Sequence, residues 1–402
     1  MKKRKKIAFI HRYGLEGWIC CGGHAISPLI ETMSQEVDIH FFGPDTTELF
    51  QPDLRKKIHY HQLPYTWDRA NPTDKITKTL LWYAWLPWIG IQCRIKGIHL
   101  IWNDETVPFT AAILRLFFGN QIAITVMDFF LRIYTQNHPL LQPLARTLEK
   151  IDIMTWRKLP LLFTKVNYTQ TFLKEQGVPA HTLYLYRNPV DHTKFHPLEP
   201  STRKTIRDQY GFTDYDIVLT HHGILHPNKG NDWILHQLAA LKSQLPQLKF
   251  LLIGNGPEMD KLQNLTRKLD LADRVTFTGW LPSETDLNHA LAAADIGLVM
   301  RIGQETDHYH MTDTLTHEMA CAKPILAVNL QGIAEIIQDG INGYLFDLDQ
   351  PHAFAHKLEQ LTKDHTMRER FATNITKESQ LLSASIQKDL LKKPFFDILQ
   401  TV

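Results

Sequence analysis

Short apolar runs alternate with longer segments of helical periodicity along the chain. Near its start, apolar runs at Lys6 to His11 and Val37 to Phe42 flank a helical pattern over Gly23 to Ser34. Later runs, such as Asp216 to His221 and Leu248 to Ile253, are separated in the same way. This alternation is typical of a parallel sheet covered by helices on both faces. We therefore predict an α/β fold with doubly wound parallel sheets.

A polar stretch rich in proline, Tyr186 to Pro200, interrupts this pattern. Proline at three of its positions is incompatible with regular structure, so the stretch is predicted to be a linker. A chain of 402 residues is long enough for two domains at roughly 150 residues each. The predicted N-terminal domain is 1–190, and a second domain begins at 191, with a cleft between them.

The net charge of +2 combines two unlike halves. Residues 1–190 hold 23 Lys and Arg against 15 Asp and Glu, a balance of +8, whereas residues 191–402 hold 21 against 27, a balance of −6. The basic half suits an anionic partner such as a membrane surface, but the acidic half argues against a general nucleic-acid binder.

The four cysteines, Cys20, Cys21, Cys93 and Cys321, form no CxxC pair and no disulfide framework. This pattern predicts a reduced, cytoplasmic chain. The apolar run after the basic start is too short for a signal peptide, and the uncharged stretch Thr79 to Cys93 is too short to span a bilayer.

Peripheral contact with the inner face of the cytoplasmic membrane is a separate prediction. It uses basic residues at the start of the chain and tryptophans, which favour the headgroup region: Lys2, Lys3, Arg4, Lys5, Lys6, Trp82, Trp85 and Trp88. The alternative is that the aromatic cluster is packed core or the wall of an acceptor pocket.

Loops that follow predicted strands carry glycines and a lysine. Gly22 and Gly23 at a helix start allow backbone N–H groups to approach a phosphate, although a flexible loop is the alternative. Lys229 suits a diphosphate as a point charge, unless it is an ordinary solvated turn residue. Gly254 and Gly256 permit close approach of a nucleotide, but the third glycine of a dinucleotide fingerprint is missing.

Glu318 lies on a predicted short helix, where a carboxylate could grip two ribose hydroxyls or simply face solvent. The 21 histidines lack the spacing of a metal site, and the two D-x-D triplets, Asp214 to Asp216 and Asp347 to Asp349, flank strands as turn residues. The sequence therefore predicts neither a metal nor a cofactor.

Together these motifs resemble glycosyltransferase family 4 of the glycosyl transferases group 1, a retaining family with the GT-B fold. The similar pieces, in chain order, are Gly22-Gly23, Arg187 to Asp191 with Phe195 and Pro197, Gly223 to Gly230, Gly254 to Glu258, Val275 to Gly279, Glu318 to Pro324, Gly332 to Glu335, and Asn342-Gly343. They cover most of residues 185–350, and their order and spacing are specific.

The resemblance implies two Rossmann-like domains facing across a cleft. The N-terminal domain would hold the acceptor and the C-terminal domain, 191–375, a nucleotide-sugar donor, with no bound metal. Residues 376–402 would form a helical segment that returns to the N-terminal domain.

The resemblance also implies roles for single residues. Lys229 would neutralise the donor diphosphate, Glu318 would bind ribose, and the loop from His310 to Thr314 would meet the sugar and phosphates. The implied donor-binding residues are Gly22, Gly23, Gly223, Lys229, Gly254, Gly256, Val275, Phe277, Thr312, Asp313, Thr314 and Glu318. The implied catalytic residues are Lys229, His310, Glu318 and Asp128.

Three positions depart from the family pattern. Ile224 stands where an arginine commonly follows the glycine, His310 replaces the first carboxylate of an E-x7-E motif, and Met127 replaces the histidine of a His-Asp pair completed by Asp128. Because the leaving nucleoside diphosphate develops negative charge, a lost cation weakens the site unless His222 or Arg301 substitutes for it.

The resulting hypothesis is a cytosolic retaining glycosyltransferase that moves a sugar from a nucleotide-sugar donor to a lipid-linked, cell-envelope or polysaccharide acceptor. The alternative is a degenerate member that binds a nucleotide sugar or a partner protein without turnover. A sugar-nucleotide epimerase on the same fold matches the motifs at 185–200 and 316–324 less well.

Overall fold

The computed structural model describes residues 4–15, 24–45, 52–66 and 74–401. The chain forms two compact units. The first contains Met1–Pro189 and Ala384–Val402, and the second contains Val190–Ser383.

The first unit is built on a parallel sheet of seven described strands. Their order is β3-β2-β1-β4-β5-β6-β7, and every pairing among them is parallel. The strands are β1 (Lys6–Ile10), β2 (Asp38–Asp45), β3 (His59–Thr66), β4 (Leu100–Asn103), β5 (Ile122–Val126), β6 (Leu161–Thr164) and β7 (Leu183–Leu185).

Helices cover both faces of this sheet, so its central strands are buried. In chain order they are α1 (Ile26–Met33), α2 (Pro52–Arg55), α3 (Asp74–Ile95), α4 (Thr110–Phe118), α5 (Phe130–Thr135), α6 (Gln142–Trp156) and α7 (Asn167–Glu175). The last helix of the chain packs on the same core. Its Phe395 ring lies 6.3 Å from that of Phe9 and 5.0 Å from that of Trp102.

The second unit contains a parallel sheet of six strands in the order β10-β9-β8-β11-β12-β13. These strands are β8 (Ile217–His222), β9 (Leu248–Ile253), β10 (Val275–Gly279), β11 (Ile296–Val299), β12 (Ile325–Val328) and β13 (Gly343–Phe346). The helices are α8 (Pro200–Gln209), α9 (Asn231–Ala240), α10 (Met259–Lys268), α11 (Glu284–Ala293), α12 (Asp313–Ala320), α13 (Gln331–Ala334), α14 (Pro351–Lys363) and α15 (His365–Leu381), followed by α16 (Ala384–Thr401) in the first unit.

Two α/β units with parallel sheets confirm the predicted fold class. The second unit begins at Val190 and ends at Ser383, whereas the predicted domain ended at 375. Among the described residues, no helix has the length and apolarity needed to cross a bilayer.

The predicted membrane contact through the tryptophans is wrong for Trp82, which is fully buried in the first unit. Its neighbours on α3 pack partly against the protein, since the rings of Trp85 and Trp88 lie 5.4 Å apart and Trp88 contacts Phe42 at 6.1 Å. A residue without exposed surface has no means of reaching lipid headgroups, so the core alternative holds for Trp82.

The basic start of the chain is also partly tied to the protein. Arg4 forms an ion pair with Asp38 at 3.3 Å, and Lys6 Nζ donates a hydrogen bond to the carbonyl of Lys96 at 2.9 Å. Lys2 and Lys3 lie outside the described residues. Arg4 and Lys6 would therefore have to give up these contacts in order to bind a membrane.

Candidate functional site

The winding of the second sheet reverses between β8 and β11, which are neighbours in the sheet but lie far apart in sequence. In open α/β sheets, ligands bind at such a switch point, outside the carboxyl ends of the strands. β8 ends at His222 and continues into Gly223, and β11 ends at Val299, shortly before Arg301. The loops after these two strands therefore define the candidate site.

Two glycines bring the loops after β8 and β9 into close contact. A Cβ atom on Gly254, whose φ is +126°, would lie 2.0 Å from the carbonyl oxygen of Gly223. One on Gly256 would lie 2.4 Å from the carbonyl oxygen of Leu225. Both positions therefore require glycine for backbone packing, whether or not a nucleotide binds beside them.

Lys229 lies in the loop after β8, at the end of a 3-10 turn from Pro227 to Lys229. A Cβ placed on Gly223 would lie 3.9 Å from both Lys229 Nζ and Thr314 Oγ1, so these two polar atoms converge over one glycine. Burial and the positive charge of Arg301 together lower the pKa of Lys229 to about 8, against the opposing charges of Asp313 and Asp307. A bound anion would raise the pKa of Lys229 again, because it favours the charged ammonium.

Arg301 adds a second cation at the same switch point. Its Nη1 lies 3.0 Å from Asp307 Oδ1, while its buried Nε has no hydrogen-bond partner among the described residues. A hydrogen bond from Ile302 N to the carbonyl of Asn228 at 3.0 Å joins its loop to that of Lys229. Arg301 thus lies close enough to Lys229 to lower the pKa of that lysine.

His222, the other predicted replacement for the missing arginine, does not serve as a cation here. It is fully buried, and burial together with His317, His221 and Lys229 holds its pKa well below the ordinary value. The imidazole is therefore neutral near pH 7. Of the two substitutes, the site favours Arg301.

The amino end of α12 completes the candidate site. Thr312 caps the helix by accepting a hydrogen bond from Leu315 N at 3.2 Å, and Thr314 Oγ1 donates to the carbonyl of His222 at 3.0 Å. Asp313 is exposed, and His310 is half-buried just before the helix. The helix start thereby lies next to Gly223, and helix N-termini favour anions.

The structure contradicts a solvent-facing position for Glu318. Its side chain is fully buried on the inner side of α12, close to Gly297 of β11, and neither carboxylate oxygen has a hydrogen-bond partner among the described residues. Burial raises the pKa of Glu318 well above its ordinary value, although Lys323 partly opposes this. The buried carboxyl is not presented to a ribose.

The preceding residue, His317, is the one that reaches the partly exposed side of α12. Its ring stacks on Phe195 at 3.9 Å and on His222 at 5.3 Å. The sequence analysis missed this stack, although Phe195 lies within one of its motifs and His222 was one of its two candidate substitute cations.

Replacing Glu318 with glutamine is expected to change nucleotide affinity less than twofold. Glutamine has the shape of the protonated carboxyl and does not alter any exposed surface. Calorimetric titration of both proteins with a nucleoside diphosphate checks this, and the matched Lys229→Met variant should lose affinity in the same assay. A tenfold loss in Glu318→Gln, at an unchanged melting temperature, would restore the ribose-binding role.

Two of the implied donor-binding residues, Val275 and Phe277, lie on the edge strand β10. Val275 is buried and is the first residue of the strand, so it lies at the amino end. At the 3.3 Å rise per residue of a parallel strand, it lies about 13 Å from Gly279. This contradicts a role for Val275 at the carboxyl edge. Gly279 lies there instead and accepts a hydrogen bond from Gly254 N at 3.0 Å, while Phe277 is half-buried in mid-strand.

The first unit has a polar cluster of its own where β1 and β4 adjoin, the switch point of that sheet. Buried Glu105 lies 3.1 Å from Arg12 Nε and 3.2 Å from His11 Nε2, and its Oε2 has no partner among the described residues. Burial raises the pKa of Glu105 to about 7, against the attraction of Arg12. The sequence analysis did not identify Glu105, which lies in the loop just after β4 ends at Asn103.

Asp128 follows β5 and is half-buried, with its N–H 3.4 Å from Thr106 Oγ1. The predicted Gly22-Gly23 phosphate loop lies outside the described residues. Together with Glu105, Asp128 marks the carboxyl edge of the first sheet as polar.

Comparisons with known proteins agree with this architecture. Residues 202–378 match the model of the family described as glycosyl transferases group 1. The GDP-mannose-dependent alpha-(1-6)-phosphatidylinositol monomannoside mannosyltransferase of Mycolicibacterium smegmatis is 27% identical over 181 residues, which are 45% of this chain and 47% of that protein. The N-acetyl-alpha-D-glucosaminyl L-malate synthase of Bacillus anthracis is 27% identical over 162 residues, 40% of each chain. The chain thus spans less than half the length of these curated relatives.

A solved structure resembles nearly the whole fold. Anabaena Alr3699/HepE, determined in complex with UDP and glucose, aligns with 98% of this chain and 100% of its own, with a TM-score of 0.72 and 18% identity. At this identity the likeness shows the fold alone. The resemblance inferred from the motifs is confirmed for the GT-B fold and for the glycosyl transferases group 1, whose model residues 202–378 match; family 4 and the retaining mechanism stay predictions.

Proposed function

We propose that the chain is a retaining glycosyltransferase of family 4 type that moves a sugar from a nucleotide-sugar donor to a lipid-linked, cell-envelope or polysaccharide acceptor. The observation that carries the proposal is the pair of cations, Lys229 and Arg301, at the switch point of the second unit. The Mycolicibacterium and Bacillus relatives, which are named for glycosyl transfer, support the reaction class.

The proposed chemistry centres on the leaving group. A nucleoside diphosphate departs with growing negative charge, and fixed donors in a partly buried site stabilise that charge strongly. Lys229 would supply an ammonium, Arg301 its guanidinium charge, and the start of α12 its backbone N–H groups. His310 would contact a sugar hydroxyl, and no metal is required for these roles.

We assign acceptor binding to the first unit. The support is its polar cluster of His11, Arg12 and Glu105 at the switch point of the first sheet, the place where open α/β sheets bind ligands. Asp128, at the next strand end, would contribute a second carboxylate. A cytoplasmic location belongs to the same proposal, since Cys93 and Cys321 are both free thiols.

The test is a binding and turnover screen of the purified full-length chain. Thermal shift against UDP, GDP, ADP and TDP, with and without magnesium, should single out one nucleotide family, because ligand at 100 times its dissociation constant adds about 2.7 kcal/mol. The corresponding sugar nucleotide is then expected to release its diphosphate in the presence of an acceptor, with the anomeric configuration retained in the product by NMR.

Each outcome of this screen decides between the alternatives. Binding without release from any sugar nucleotide would support the non-catalytic member. Binding of no nucleotide at all would overturn the donor site itself.

Arg301→Gln is expected to weaken diphosphate affinity about tenfold or more, because a hydrogen bond to a charged group contributes about 1.5–3 kcal/mol. Ile224, whose side chain is 57% exposed beside Gly223, offers a way to return the charge. Adding Ile224→Arg to Arg301→Gln should recover part of the loss in calorimetric titrations. If Arg301→Gln binds like the parent protein, Lys229 alone holds the diphosphate.

A further inference from the structure

An apolar surface lies exposed on the first unit between residues 134 and 158. Its apolar members are on α5, on the 3-10 turn before α6, and on α6 itself: Tyr134, Leu140, Leu141, Leu144, Ile151 and Met154. Leu140 is 95% exposed and Leu144 is 56% exposed with the whole chain present. We call these six residues, with the basic residues described next, the 134–158 surface.

The periodicity of α6 places its apolar and basic side chains on one face. Leu144 and Ile151 are seven residues apart and Met154 follows three later, so they form a single stripe. Arg146 and Lys150 are four residues apart and border that stripe on the same exposed side. After the helix end Lys158 is exposed, whereas Arg157 Nε donates a hydrogen bond to the carbonyl of Gln176 at 2.7 Å. The opposite side of α6 is core, with Ile153 and Trp156 buried.

Both acidic residues of α6 are buried. Glu149 forms an ion pair with Arg132, whose Nη2 lies 2.5 Å from its Oε1, and Asp152 accepts a hydrogen bond from Phe109 N at 2.8 Å. Every exposed charged side chain on the helix is therefore basic. An ordinary solvated helix carries charges of both signs and few exposed leucines.

This combination fits the boundary layer of a negatively charged bilayer. Apolar side chains enter the region between headgroups and acyl chains, while the lysines and arginines beside them meet anionic headgroups. A protein partner would be matched by shape, which nothing on this convex helix provides. We propose that the 134–158 surface docks the chain on an anionic phospholipid membrane.

This inference goes beyond the proposed function and does not depend on it. It also moves the membrane contact away from Trp82, which is buried.

The test is flotation of the full-length chain with vesicles of phosphatidylcholine alone or mixed equally with phosphatidylglycerol. Binding is expected only to the mixed vesicles, and it should fall at least tenfold when salt rises from about 50 to 500 mM. The double variant Leu140→Ser/Leu144→Ser, and separately Arg146→Gln/Lys150→Gln, should each lose at least tenfold in vesicle affinity.

Matched controls make the same changes elsewhere. Leu381→Ser/Leu390→Ser alters two other exposed leucines, and Arg267→Gln/Lys268→Gln alters two exposed cations of the second unit. Both should bind vesicles like the parent protein, and melting temperatures verify that all variants fold.

Three results would overturn the proposal: no binding of the parent to mixed vesicles, equal binding to neutral ones, or unchanged binding by both surface variants. A surface variant that instead converts a dimer to a monomer in light scattering, with vesicle binding unchanged, would assign the surface to a second copy of the chain.

Discussion

Replacing Lys229 with methionine is expected to lower turnover of the nucleotide sugar about 100- to 1000-fold, as the loss of one oriented donor to a developing negative charge does in other enzymes. Methionine keeps the length of the side chain and removes only its charge and donors. The effect should fall mainly on kcat, because the charge on the leaving group grows in the transition state. Steady-state kinetics of diphosphate release measures it.

The control for this change is Lys268→Met, which removes an exposed lysine from α10 in the same unit. Its kinetics should match those of the parent protein. If Lys229→Met retains more than a tenth of the parental kcat, Lys229 is not the principal stabiliser of the leaving group.

The pH dependence gives a second readout for the same residue. With its pKa lowered to about 8, Lys229 is charged below that pH and loses its proton as the pH rises through it. Diphosphate affinity of the parent protein should therefore fall above about pH 8, and Lys229→Met, already weak, should lack that step. An identical step in both proteins would assign the titration to another group.

The location of the site at the strand ends could be predicted from sequence, because it follows from periodicity. Apolar runs predict strands, and parallel strands present the loops at their carboxyl ends along one edge. Lys229, Gly223 and Gly254 lie in those loops, and the structure brings all three to the same edge. Their individual binding roles stay predictions.

The direction of a side chain on a helix was harder to predict. Successive residues of an α-helix point about 100° apart, so a motif aligned one residue out of place exchanges an inner position for an outer one. On α12 that single step separates the buried carboxyl of Glu318 from the ring of His317, which stacks on Phe195. Sequence resemblance alone does not carry that angular information.

The sequence analysis offered Arg301 only as one of two substitute cations and did not place it beside Lys229. Arg301 and Lys229 lie in the loops after β11 and β8, and these two strands are neighbours only because the chain crosses over between them. Glu105 and Arg12 meet in the same way through β4 and β1. A sequence pattern predicts each loop separately. The closeness of the two cations, and of the residues in the polar cluster of the first unit, is evident only once the strand order is known.

Changing Gly254 to alanine is expected to cost about 4 kcal/mol of unfolding free energy. Its φ of +126° is a conformation that residues with a Cβ avoid, and the added carbon would lie 2.0 Å from the carbonyl oxygen of Gly223. The obstructing atom is backbone, so relief requires the loops after β8 and β9 to separate. Urea unfolding, monitored by circular dichroism, measures the loss of stability.

Gly211 supplies the matched control, because its φ of +76° also favours glycine while nothing lies within 4 Å of a Cβ placed there. Gly211→Ala should therefore cost only the conformational term, about 1–2 kcal/mol. The difference between the two variants isolates the close approach of the loops. Because that approach also sets Gly223 beneath Lys229 Nζ, Gly254→Ala should weaken diphosphate binding even where the variant stays folded, whereas Gly211→Ala should not. Equal stability losses in the two variants would show that the loops separate at no cost, and the junction would then have no part in positioning Lys229.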